Sequence, residues 1–435
     1  MSDMSSPIKI RHLTLFSLCL MAFILYIDRV NISVAGPFMR KEMGLSPTQL
    51  GVIFSAFAYS YAFMQIPGGW LADKFGPRAS LAVLSALWSV ATVMTGVATG
   101  VSALIVWRFL VGVGEGGAFA AATRAFLHWM PISRRGFAQG LTHGASRLGG
   151  AVTPPIVVAI VIASGWRQSF LALGVASLAW TVGWLLFFRD SPADHRWMTR
   201  EELVELGFDS TRPIEPARRT PWKDMISRMW LVTLVDFCYG WSLWVFLTWL
   251  PSYLSDARGF KLNQMAIMTM LPLMAGVFGD ASGGIVSDAI YRKTGNLRVA
   301  RCSLLLIGLI GSVIFILPAV ITASPTTAVV YLALSFFSLE LTNAVLWSLP
   351  IDIAGRFAGT AAGMMNTGFG VAGMISPVAF GFLIQHTGSY QLPFFLSAGL
   401  LVVGALVSLL IDPMKKIAEP AAASIPAVGD LSFVK

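Results

Sequence analysis

Four ionisable residues stand well inside mainly apolar stretches: Asp28 and Arg29 in the run 13–35, and Arg108 and Glu115 in the run 102–128. A charged side chain near a bilayer centre costs about 2.5–3.5 kcal/mol on insertion scales, so each is a candidate functional group. A guanidinium can grip a carboxylate bidentately. Arg29 lies past the middle of its run and Arg108 before the middle of its own, so both are expected at similar depth, facing an anion. The competing role is an ion pair that only holds helices together. Glu115 follows Arg108 by seven residues, which places both on one helix face about 10 Å apart along the axis. A buried carboxylate near a cation can pass between neutral and charged forms, the property a proton-coupling residue needs. Glu115 is the first candidate for that role. Asp28 is the second, pointing about 100° away from its neighbour Arg29. A structural pairing is the alternative for both acids.

Other polar residues sit at comparable depth. Tyr26 and Tyr61 offer hydroxyls for a carboxylate or a hydroxyl-rich substrate, with aromatic packing as the alternative. In the second half of the chain, Asn343 and Trp347, one turn apart, could supply a polar and a stacking contact, and Asn366 a further polar one. Arg147 lies in mid-segment, one turn after His143 and beside Ser146, while Asp236, Asp280 and Glu340 are acids in later segments. Arg147 either signals a more anionic cargo, such as a dicarboxylate, or neutralises one of these acids. Arg124 and His128 suit an interfacial position. Cys19, Cys238 and Cys302 are far apart, and the five histidines are scattered, so no metal site, disulfide framework or enzymatic cluster is expected. No phosphate-binding Gly-x-x-x-x-Gly-Lys-Ser/Thr loop occurs, which leaves an ATP-driven pump unsupported. No cofactor is implied beyond the proton as coupling ion.

These residues need apolar elements to hold them. The chain has 435 residues, 56% hydrophobic and 12% charged, with a mean hydropathy of +0.71. That is too few charges to coat a water-exposed surface. A helix crossing the ~30 Å hydrocarbon core needs about 20 apolar residues. Apolar segments recur at 13–35, 50–72, 80–98, 102–128, 137–163, 168–188, 229–252, 263–289, 300–320, 325–349, 358–385 and 391–412. The reading is an all-α membrane protein of twelve spans. Residues 1–188 form an N-terminal six-helix bundle, 189–228 a cytoplasmic linker, 229–412 a C-terminal six-helix bundle and 413–435 a cytoplasmic tail. Thr199 and Glu202 suggest a capping box on a short linker helix.

The formal charge of +9 reads as topology rather than nucleic-acid binding. With both termini inside, 22 of the 31 Lys and Arg fall on the cytoplasmic side and five outside. The halves also repeat: Gly136, Gly140 and Pro154 recur as Gly359, Gly363 and Pro377, all at an offset of 223 residues. Internal repeats of this kind accompany transporters with a site at the repeat interface.

The loop Gly69-Trp70-Leu71-Ala72-Asp73-Lys74-Phe75-Gly76-Pro77-Arg78, echoed by Gly284 to Asp288 with Arg292 and Lys293, resembles the conformational loop of the major facilitator superfamily. Tyr26-Ile27-Asp28-Arg29-Val30-Asn31, Tyr61 to Gly69, Arg108 to Gly116 and Trp249 to Leu254 resemble its anion:cation symporter family, over essentially the whole chain. That resemblance implies proton-driven uptake of a carboxylate by alternating access, as in hexuronate, galactonate and glucarate carriers. It further implies substrate contact by Arg29, Arg108 and Asn366, and proton handling at Glu115 and Asp28. A dicarboxylate or aromatic carboxylate, or an exchanger without proton coupling, is the alternative. The expected setting is a bacterial cytoplasmic membrane, with a small organic anion, protons and lipid as partners, no nucleic acid, and a monomeric chain.

Overall fold

The computed structural model describes residues 9–131, 135–206, 221–354 and 358–417, with the side chains of residues 66, 73, 135–137, 358 and 359 outside the description. The tail from 418, most of the basic linker (207–220, with Arg212, Arg218 and Arg219) and the Asp73 carboxylate therefore lie outside the described residues, as do the side-chain surroundings of Gly136 and Gly359.

Fourteen α-helices follow one another among the described residues: α1 (Ile10–Met43), α2 (Pro47–Val97), α3 (Val101–Gly116), α4 (Ala118–Trp129), α5 (Arg135–Ser164), α6 (Trp166–Phe187), α7 (Arg200–Glu205), α8 (Trp222–Ser252), α9 (Leu262–Thr294), α10 (Leu297–Ile321), α11 (Pro325–Glu340), α12 (Asn343–Ala354), α13 (Ala358–Thr387) and α14 (Gln391–Ser408). Among the described residues, eleven helical stretches are long and apolar enough to cross a membrane.

The 51 residues of α2 would run about 75 Å if straight, more than twice a hydrocarbon core. They do not run straight. Gly76 adopts φ 79° and ψ 155°, a left-handed φ that glycine takes without steric cost, and breaks the helix there. Both arms then flank α3. A Cβ placed on Gly116 would stand 2.7 Å from the Tyr61 carbonyl, and one on Gly114 would stand 2.7 Å from the Leu84 carbonyl. Residues 61 and 84, on opposite sides of the break, thus sit at one level of the bundle, and glycines on α3 let both arms approach.

Two further predicted segments are each made of two pieces. The segment 102–128 is α3 followed by α4 with a break at Gly117, and 325–349 is α11 followed by α12 with a break at Leu341 and Thr342. The pieces are 16 and 12 residues long in both halves. The first residues of α5 and α13 (135 and 358) and their last residues (164 and 387) are each separated by 223, so the offset read from three residues holds for whole elements.

Thr199 caps α7 as expected, accepting from the Glu202 amide at 3.2 Å. The reciprocal half of the box is redirected. The Glu202 carboxylate instead accepts from the amides of Ile10 (3.2 Å) and Arg11 (2.9 Å), so a residue beyond the sixth long helix caps the first. Glu205 closes the same corner with Lys9 (2.5 Å) and Arg11 (2.7 Å); the Lys9 hydrogen bond holds this carboxyl below the usual range.

The two halves meet closely where α1 ends and α2 begins. Arg40 pairs with Asp256 at 2.7 Å, and Phe54 meets the Trp249 ring edge-on at 5.6 Å. Pro47 and Gly51 of α2 lie directly against Gly381 and Pro377 of α13.

Candidate functional site

The charged residues of the first half converge on one ring. Arg29 projects from α1 with its guanidinium carbon 4.6 Å from the Tyr26 and Tyr61 ring centres and 4.9 Å from that of Phe57. Arg108, from α3, has its guanidinium carbon 5.0 Å from the same Phe57 ring. The two cations are therefore within about 10 Å of one another and share an aromatic neighbour whose π-face attracts both. Both are buried, at 4% and 3% exposure.

Glu115, at the end of α3, accepts from Arg29 Nε (3.1 Å) and Nη2 (2.9 Å) through a single oxygen. Its other oxygen and the Arg108 Nε are buried without a hydrogen-bond partner. A buried unpaired polar atom costs about 1–3 kcal/mol, so this cluster has unused capacity for a ligand. Asp28 faces away, as its position next to Arg29 required. It accepts from the Ser177 hydroxyl of α6 at 2.5 Å, and its second oxygen is also without a partner.

Arg147 pairs with acids across the interface. From α5 of the first half it reaches Glu340 at 3.3 Å and Asp280 at 3.8 Å, both in the second half, and donates to the Tyr239 hydroxyl at 3.4 Å. Tyr239 donates in turn to Glu340 at 3.2 Å, and Asn343 donates to Asp280 at 2.9 Å. His143 stacks on Phe119 at 4.9 Å and lies 5.9 Å from the Trp347 ring, which is itself 40% exposed. Asp236 is buried and accepts from the Phe369 amide at 3.1 Å. Asn366 is half-buried on α13, three residues before Phe369.

The loop residues divide into two groups. Arg78 uses its amide to reach Asp190 (2.8 Å) and its guanidinium to reach the Leu185 carbonyl (2.7 Å), while Lys74 sits over the Trp70 ring at 4.6 Å. Gly69 faces Ala120 of α4. In the second half Asp288 pairs loosely with Arg301 (3.6 Å), which binds Asp352 more closely (2.9 Å), and Arg292 is exposed.

Three residues carry more of this geometry than the sequence reading gave them. Phe57 lies one helical turn before Tyr61, a spacing that would have found it. Tyr239 lies one turn after Asp236. Ser177 carried no signal, because serines are frequent in apolar helices.

A helical bundle with paired halves and buried charges at their centre defines a membrane transporter rather than an enzyme. The chain belongs to the Major Facilitator Superfamily, whose family model matches residues 18–377. It is 62% identical over 420 residues, covering 96% of this chain and 97% of the relative, to a Cupriavidus necator protein named probable sulfoacetate transporter SauU. It is 33% identical to the hexuronate transporter of Bacillus subtilis (88% of this chain, 90% of the relative) and 30% identical to the D-galactonate transporter of Escherichia coli O6:H1 (95% and 98%). The fold matches the crystal structure of a bacterial homologue of the human lysosomal transporter Spinster with a TM-score of 0.76, at 18% identity, over 94% of this chain and 97% of that one.

Proposed function

We propose that the chain takes up a short organic dianion, sulfoacetate foremost, by proton symport across a bacterial cytoplasmic membrane. The observation that carries the substrate is the 62% identity, over nearly the full length of both chains, to the probable sulfoacetate transporter. The site chemistry supports it. Sulfoacetate carries a carboxylate and a sulfonate, and Arg29 and Arg108 are two permanent cations around one ring.

In this reading Asp28 and Glu115 balance Arg29 and Arg108 in the empty site. A proton on Glu115 releases the Arg29 fork for the anion, and loss of that proton restores the ion pair and expels the cargo. Asp28 is the second proton position. Tyr26 and Tyr61 shape the wall, and Asn366, Asn343 and Trp347 face the cargo from the other half. Alternating access is rocking of the six-helix halves, helices α1–α6 against α8–α14, with the Gly69–Arg78 loop and its Asp288–Arg292 echo exchanging partners. Twelve crossings with both termini inside agree with the placement of Lys and Arg. The twelfth crossing is the α2 arm before Gly76.

Proteoliposomes containing the purified chain test this reading. Labelled sulfoacetate should accumulate under an inward proton gradient, and collapsing the gradient should abolish accumulation. Excess unlabelled sulfoacetate should compete better than glucuronate, galactonate or tartrate. Uptake indifferent to the gradient refutes symport, and stronger competition by a sugar acid refutes the dianion.

A further inference from the structure

The charge balance differs between the two clusters. In the first half two cations, Arg29 and Arg108, are matched in number by two buried acids, Glu115 and Asp28. Around Arg147, one cation faces two: Asp280 and Glu340, at 18% and 0% side-chain exposure. The other titratable groups turned toward this cluster are Tyr26 of α1, His143 of α5, and Asp236 and Tyr239 of α8, with Asn343 of α12 as a neutral donor. None of them adds a permanent positive charge. One Glu340 oxygen is buried with no hydrogen-bond partner at all. Two ionised carboxylates on one guanidinium leave an uncompensated negative charge out of water, which is costly.

The cation also belongs to the other body. Arg147 is on α5 of the first half, whereas Asp280, Glu340, Tyr239 and Asn343 are all on the second. Any movement that parts the halves at this level withdraws the guanidinium and leaves two carboxylates without the cation they share. Like charges sharing a site disfavour one another's ionised form, so loss of the cation favours a bound proton.

We infer that the Asp280–Glu340 pair is a second proton-binding site, filled as Arg147 leaves and emptied as it returns. The step balances simply. A proton from water on the outer side bonds to the free Glu340 oxygen while the Arg147–Glu340 ion pair breaks, and the proton is given up to water on the inner side as the ion pair re-forms. This site is distinct from Glu115 and Asp28. It registers the distance between the halves, not the presence of cargo. The inference rests on the rocking motion in the proposed function, and its proton chemistry can be read separately.

The experiment is infrared difference spectroscopy of the purified full chain in lipid nanodiscs, following the protonated-carboxyl stretch through a pH drop. Glu340→Gln and Asp280→Asn should each weaken a band that Glu115→Gln retains, and Arg147→Gln should enlarge it. This readout does not need a variant to transport. A band unchanged in both Glu340→Gln and Asp280→Asn overturns the inference. In proteoliposomes, Glu340→Gln should also lower steady-state accumulation about tenfold for a one-unit pH gradient, the effect of losing one proton per cargo. Wild-type uptake that ignores the gradient while the band responds refutes symport and supports the proton site. Glu340→Gln accumulation equal to wild type overturns the site's part in coupling.

Discussion

The breaks at Gly117 and at Leu341–Thr342 are one device built twice. In each half the fourth long helix divides into 16 and 12 residues, and a fully buried glutamate, Glu115 or Glu340, stands just before the division. Each keeps one oxygen without a partner, and each is met by a side chain from the first long helix of its own half. That side chain is Arg29 in the first half and Tyr239 in the second. The cation for Glu340 comes instead from α5 across the interface. A duplicated scaffold therefore carries two differently wired acids. One has its counter-ion within its own half, and the other has its counter-ion across the interface.

This comparison can be broken in several places. The largest effect is expected from Arg29→Gln, which strands Glu115 inside its own bundle. Breaking a buried pair costs about 3–5 kcal/mol, so thermal melting should fall markedly and uptake should vanish. Adding Glu115→Gln should recover part of the melting loss, and a double-mutant cycle without coupling would show that the pair is not the stabilising contact. Arg147→Gln should lower melting less, because Asp280 is 18% exposed and Glu340 keeps its hydrogen bond from Tyr239; an equal or larger loss would erase the distinction between the two glutamates. Arg108→Ala should weaken sulfoacetate binding by tenfold or more, in line with about 1.5–3 kcal/mol for a charged hydrogen bond, as read by calorimetry. Normal binding would remove Arg108 from the site.

Smaller effects test the shared scaffold. Gly114→Ala and Gly279→Ala press α3 and α9 against backbone carbonyls of Leu84 and Phe337. Each should cost about 1–3 kcal/mol by overpacking, and a loss in only one half would weaken the parallel. The least is expected from Glu202→Ala, about 1 kcal/mol for a lost helix cap, measured by melting.

Much of this was legible in the sequence because bilayers penalise charge so strongly. Arg29, Arg108, Glu115 and Asp28 stand out from their surroundings, and the seven-residue and one-residue spacings fixed which of them share a face. The 223-residue offset likewise surfaced in a few glycines and prolines before the helix bounds displayed it. What stayed hidden depends on which side chain crosses between distant helices. Nothing in the spacing of Arg147 says which acids it meets, because α9 and α11 come beside it only in the fold. Phe57 looked like any other apolar residue on α2 unless set one turn before Tyr61. The break at Leu341–Thr342 has no glycine to announce it, unlike its counterpart at Gly117, and periodicity runs straight through both.

The Glu202 cap on α1 has a consequence for how the chain is made. The amides it satisfies, Ile10 and Arg11, precede it by 192 and 191 residues. Chains emerge from the ribosome at about 5–20 residues per second, so the first turn of α1 waits on the order of ten seconds or more for its partner. The first half is not complete when its sixth helix enters the bilayer. Its final hydrogen bonds form only when the following segment has been synthesised, which makes that segment part of the first folding unit as well as the start of the connection to the second.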